Sequence, residues 1–126
     1  MYGVLVSVAV NALILKYVLE NEKENNHLWT MTSTMATYFE YCHTLENWLV
    51  KRKVSSAKAK DLIASLMFGL SHSMLLSKSK TKELVTDYQT KKGINEELLK
   101  RLKQEKTLNK IMPAIKKEYY EYVIHL

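Results

Sequence analysis

Residues Thr81–Leu102 read TKELVTDYQTKKGINEELLKRL, and this stretch decides the fold. Leu84, Val85 and Tyr88 fall at helical spacing on one side of it, and Leu98, Leu99 and Leu102 do so on the other. Between them lies the short polar loop QTKKGINE, built around Gly93. Thr81 is placed to cap the first helix. Gly93 falls where a turn can use a left-handed backbone, which is costly for any residue with a Cβ. Asn95 is expected to cap the second helix, with Glu96 and Glu97 favourable in its positively polarised first turn. The pattern is helix, tight loop, helix.

Upstream, the same periodicity continues. In TMTSTMATYFEY, Thr32, Ser33 or Thr34 is a candidate cap, after which Tyr38, Cys42, Leu45 and Leu49 share a face that Trp48 widens. A polar KRK run follows, and Ser55 or Ser56 is placed to cap a second helix over 57–76. Its Leu62, Leu66, Leu70 and Met74 form one stripe, while Ile63, Met67, Phe68 and Leu75 carry apolar character nearly round the cylinder. Such a helix should be central and needs several neighbours. One short chain supplies few of them, so a second copy is expected to cover part of its surface. After SKSKT and the 81–102 segment, Leu108, Ile111, Met112, Ile115, Tyr119, Tyr122 and Val123 outline a final helix. Pro113 lies inside that pattern and predicts a start or a kink there.

Composition narrows the function classes. The chain has 126 residues, enough for one domain, and its single Pro and three glycines argue against a turn-rich β fold. Gly3, Gly69 and Gly93 stand too far apart to form a GxGxxG or GxxxxGK loop, so no nucleotide-binding domain is encoded on this chain. The net charge of +6 arises from lysines interspersed with Glu and Asp, which reads as a solvated helical surface and not as a nucleic-acid interface. Cys42 is the single cysteine and cannot form an internal disulfide, which fits a reducing, cytoplasmic compartment. The apolar run YGVLVSVAVNALILKYVLE at the start lacks a basic n-region and is interrupted by Asn11 and Lys16. It reads as a packed segment better than as a membrane span, and NEKENN then forms a polar linker. This divides the chain into residues 1–27 and a helical domain over 28–126.

Other constellations carry little chemistry. His27, His43, His72 and His125 are scattered without metal-ligand spacing, and Cys42 beside His43 points to a different helix face. Ser71 and Ser73 flank His72, but adjacent positions on a helix do not face one another. Tyr119, Tyr120 and Tyr122 suit helix packing or an interface edge. No catalytic or metal-binding residue is assigned.

The order of elements and the strings STMATYFEY, LMFGLSHSMLL and TKELVTDYQTKKGINEELLKRL resemble the C-terminal helical domain of pyrroline-5-carboxylate reductase and related NAD(P)-dependent oxidoreductases. The family's GSGPAY-like segment matches Ser33, Thr34, Met35, Ala36, Thr37 and Tyr38. Its TPGG or SPGG loop matches Thr90, Lys91, Lys92 and Gly93, with Ile94 and Asn95 following. The resemblance covers residues 28 to 123. It implies an all-α, interleaved dimerisation domain of the 6-phosphogluconate dehydrogenase C-terminal-like type, with NAD(P) held by a separate Rossmann domain that would be encoded upstream. It also implies that Thr90, Gly93 and Asn95 border the substrate carboxylate, because backbone amides and polar side chains at such a loop can hold an anion.

The departures bear on the reaction. Lys91 and Lys92 replace the usual Pro and Gly, Asn95 replaces a hydroxyl residue, and Thr34 and Met35 fill space that the GSGPAY segment leaves open. The expected function is therefore the homodimeric, substrate-facing domain of a reductase-like protein, inactive without its cofactor domain. The alternative is a stand-alone helical homodimeric module, membrane-associated through residues 2–19.

Overall fold

A computed structural model describes residues 27, 30, 31 and 33–124, with side chains through Lys117. The apolar run at 2–19, the linker, Thr32 and the side chains of Tyr119, Tyr120, Tyr122 and Val123 lie outside this description. Among the described residues all regular structure is helical: α1 Thr34–Val50, α2 Ser56–Leu76, α3 Thr81–Asp87, α4 Ile94–Gln104, a 3-10 turn at Leu108–Lys110, and α5 Ile111–Ile124. The all-α class and the order of elements agree with the sequence reading.

The helix ends follow local chemistry, not always the residue expected. Ser55 caps α2, its hydroxyl accepting from the Lys58 N–H at 3.4 Å. At α1 the candidate caps work in reverse. Thr30 and Met31 are already helical, so the Ser33 hydroxyl donates to the Thr30 carbonyl at 2.6 Å and the Thr34 hydroxyl to the Met31 carbonyl at 2.7 Å. Thr81 is the first helical residue of α3 and not its cap. Lys80 holds the extended cap conformation, and the Glu83 carboxylate accepts from the Lys80 N–H at 2.8 Å. Pro113 stands third in α5, where its missing N–H costs nothing because first-turn amides have no intrahelical partner.

Two helices end in the same paired-bond motif. At α1 the Val54 N–H reaches the Leu49 carbonyl at 3.2 Å and the Lys53 N–H reaches that of Val50 at 3.0 Å. At α4 the Thr107 N–H bonds to Leu102 at 3.0 Å and the Lys106 N–H to Lys103 at 3.1 Å. Both motifs demand a left-handed residue, usually glycine, and here it is Lys53 with φ 69° and Lys106 with φ 55°.

Residues Tyr38–Lys110 form one compact unit, and every buried residue of the description lies in it: Cys42, Ala59 and Ile63. On α1, Cys42 is joined by half-buried Leu45 and Leu49, while Tyr38 and Trp48 of the face read in the sequence are exposed. Partial desolvation and the neighbouring Cys42 thiol push the Tyr38 hydroxyl above its ordinary pKa. On α2 the chain itself covers a different apolar stripe from the one outlined by its leucines. The inward stripe is Ala59 and Ile63 with half-buried Met67, while the expected stripe of Leu62, Leu66, Leu70 and Met74 is exposed. A helix that is apolar nearly all round gives no sequence signal for which stripe its own chain will cover.

Glycine at position 53 would remove the cost of a Cβ in a left-handed cap. Lys53→Gly should therefore stabilise the protein by about 1 kcal/mol, read as a higher urea midpoint with unchanged slope.

Candidate functional site

The loop between α3 and α4 is a tight turn closed by one short bond. The Gly93 N–H donates to the Thr90 carbonyl at 2.7 Å, leaving Lys91 and Lys92 at the two central positions. Lys92 has φ 60° and Lys91 does not share that left-handed region, which is the pattern of a type II turn. Position three of such a turn prefers Gly and position two accepts Pro, because their φ preferences match. The side chain of Gln89, just before the turn, donates to the Val85 carbonyl and closes α3.

Gly93 therefore serves a different purpose from the one expected. Its φ is −86° and its ψ 166°, an extended conformation open to any residue. What excludes a side chain is proximity: a Cβ at Gly93 would stand 2.7 Å from the Thr90 carbonyl oxygen and 3.1 Å from the Thr90 Cβ. The left-handed residue is its neighbour Lys92.

Gly93 is also the N-cap of α4, a role the sequence reading gave to Asn95. Asn95 lies exposed inside the first turn, too late to cap, since the backbone becomes helical at Ile94. The amide pointing back from the turn is satisfied by Glu96, whose carboxylate accepts from the Lys92 N–H at 2.5 Å. Glu96 and Glu97 occupy the first turn and Arg101 and Lys103 the last, each sign favourable to the helix dipole.

Of the three expected site residues, the turn brings Thr90 and Gly93 together and leaves Asn95 apart. An open cleft of about 300 Å³ lies against the turn, lined by Lys92, Gly93, Ile94, Glu97, Leu98 and Arg101. Ile94 is 88% exposed, so the cleft has an apolar lip beside a Glu and an Arg. Positions 94, 97, 98 and 101 share one face of α4 by the i, i+3, i+4, i+7 rule. That spacing is present in the sequence, where the leucines at 98, 99 and 102 mask it.

The two described glycines, Gly69 and Gly93, both have structural roles. Gly69 lies in the middle of α2 and the Gly93 N–H is spent on the turn, so neither offers a backbone amide to a phosphate. No group of three or more His, Cys, Asp or Glu side chains converges as a metal site among the described residues. None of the described helices is long and apolar enough to cross a membrane.

Among known proteins, the family model for pyrroline-5-carboxylate reductase dimerisation matches residues 25–122. No curated protein and no solved structure matches the chain.

The turn geometry separates neighbouring substitutions. Gly93→Ala should destabilise by roughly 1–3 kcal/mol, because a backbone oxygen cannot move aside as a flexible side chain would. Lys92→Gly should stabilise by about 1 kcal/mol through relief of the left-handed residue. Asn95→Ala should change stability by less than about 0.5 kcal/mol, since no cap is lost. Chemical denaturation of the three variants checks the order, and an Asn95→Ala loss as large as that of Gly93→Ala would contradict it.

Proposed function

Because the chain belongs to the pyrroline-5-carboxylate reductase dimerisation family, we propose that its dimerisation role is that of a homodimer forming the substrate-facing half of an NAD(P)-dependent oxidoreductase. The domain occupies residues 28–126, and residues 1–27 are a separate apolar segment and linker. The observation that carries this reading is α2. Seven of its large apolar side chains are exposed, among them Phe68 at 68% and Leu75 at 77%. Burying the rest of each is worth about 1–2 kcal/mol, on the order of 10 kcal/mol for this helix alone before the cost of association. A second copy presenting the same helix supplies the missing cover.

In this reading the chain contributes one wall of the site and no catalytic group. Thr90 presents a hydroxyl at the turn, Lys91 and Lys92 give it positive charge, and the α4 cleft adds an apolar lip. A substrate carboxylate would find attraction from the lysines but repulsion from Glu97, so this wall positions the substrate weakly by itself. Hydride chemistry belongs to the nicotinamide of a Rossmann domain supplied elsewhere, and the isolated chain is inactive. A cytoplasmic, reducing setting suits its unpaired cysteine chemistry.

Light scattering at micromolar concentration should give a dimer mass. Leu66→Asp with Leu70→Asp places charges on the exposed stripe and should shift the chain to monomer or unfold it. A wild-type monomer that melts cooperatively would overturn the assignment. Addition of NADPH should leave its fluorescence unquenched, and saturable quenching would show that the chain holds the cofactor itself.

A further inference from the structure

The turn between α1 and α2 carries features that the reductase-like reading leaves unused. Between Lys51 and Lys60 stand five basic side chains and no acidic one, which departs from the interspersed pattern of the chain as a whole. All five, Lys51, Arg52, Lys53, Lys58 and Lys60, are exposed. Two of them occupy positions that local physics disfavours. Lys53 holds the left-handed cap at φ 69°, where glycine is strain-free. Lys58 stands in the first turn of α2, a turn without any acidic residue, at the end of the helix where positive charge is unfavourable.

Apolar groups are set among these charges. Trp48 is 55% exposed and Val50 41%, both in the last turn of α1. The Arg52 guanidinium lies 3.5 Å from the centre of the Trp48 ring and donates to the Trp48 carbonyl at 3.3 Å. The indole is thereby held at the surface between cations. Exposed indole flanked by lysines is the composition that partitions to the headgroup level of a bilayer, where the ring is half-apolar and the ammonium groups meet phosphate.

We propose that this turn docks on the surface of an anionic phospholipid membrane. Two observations set it apart from a nucleic-acid interface. The one arginine of the turn lies over Trp48 and gives an N–H to the Trp48 carbonyl, so the indole face it covers is closed to a stacking base. The remaining cations are four lysines, compact point charges suited to a diffuse anionic surface. The contact is peripheral and reversible, and it uses none of the α2 stripe at 62–74 assigned above to a second copy.

The test uses the full chain with Trp29→Phe, which leaves Trp48 as the single indole. Vesicles of equal parts phosphatidylserine and phosphatidylcholine should sediment the protein and shift Trp48 emission to shorter wavelength, and pure phosphatidylcholine vesicles should do neither. Lys51→Gln, Lys53→Asn and Lys58→Gln together should weaken partitioning by roughly tenfold or more, with asparagine retaining the left-handed cap. Charge reversal at Lys51→Glu and Lys60→Glu leaves that cap untouched and should have the same effect. Four results would each overturn the proposal: binding to neutral vesicles alone, retained binding in both variants, an unmoved Trp48 emission, or displacement from vesicles by an equal nucleotide-phosphate concentration of single-stranded DNA.

Discussion

Everything in this chain depends on apolar surface that its own fold does not cover. Only Cys42, Ala59 and Ile63 are buried among the described residues, far fewer than a self-sufficient domain of this length requires. Conformational entropy of ordering the described helices must be offset by burial, and the three buried side chains among them contribute little toward it. The deficit is concentrated on α2, whose outer stripe and flanking aromatics are built as core residues but lack a cover within the chain. In the homodimer proposed above, folding and association become one equilibrium, and stability then depends on protomer concentration.

That dependence accounts for the tolerance of strain at the helix ends. Lys53, Lys92 and Lys106 each hold a left-handed backbone that costs about 1 kcal/mol relative to glycine. A marginal monomer would feel three such costs. A dimer gaining on the order of 10 kcal/mol from α2 can carry them. The hydrogen bonds at these points are complete, with paired closures after α1 and α4 and a single short closure between Thr90 and Gly93. The ends are thus well formed although the residue at each left-handed position is not the preferred one.

What was legible in the sequence follows from the same physics. The helical period places α1 to α5, the cap expected at Ser55 or Ser56 is Ser55, and of the start or kink expected at Pro113 the structure shows a start, with Pro113 in the first turn of α5. These are signals that a single residue or a short window determines. The inward stripe of α2 was not legible, since Ala59–Ile63 and Leu62–Leu66 are both apolar and only neighbours choose between them. Thr81 and Asn95 were read as caps because threonine and asparagine prefer that role. The chain turns helical earlier at both places, and the glutamates there satisfy amides upstream, Glu83 accepting from the Lys80 N–H and Glu96 from the Lys92 N–H. A glycine in a loop also hides its reason: Gly93 is required for close approach to Thr90, and no sequence pattern separates that from a need for positive φ.

The site loop shows how a fold outlasts the motif that marks it. In the family that this chain resembles, Pro and Gly stand where a type II turn wants them, at its second and third residues. Lys91 and Lys92 occupy those positions here, and the turn persists because Gly93 still lets the chain close on Thr90 at 2.7 Å. One glycine and one hydrogen bond hold the closure in this chain. Lys91 and Lys92 put two exposed basic residues at its centre, the Glu96 carboxylate accepts from the Lys92 N–H, and Glu97 with Arg101 lines the adjoining cleft. A ligand held there would be selected by charge pairs on α4 more than by backbone amides. The turn between α3 and α4 therefore keeps its closure with lysines at its centre, and the charged side chains of α4 set the chemistry of the cleft beside it.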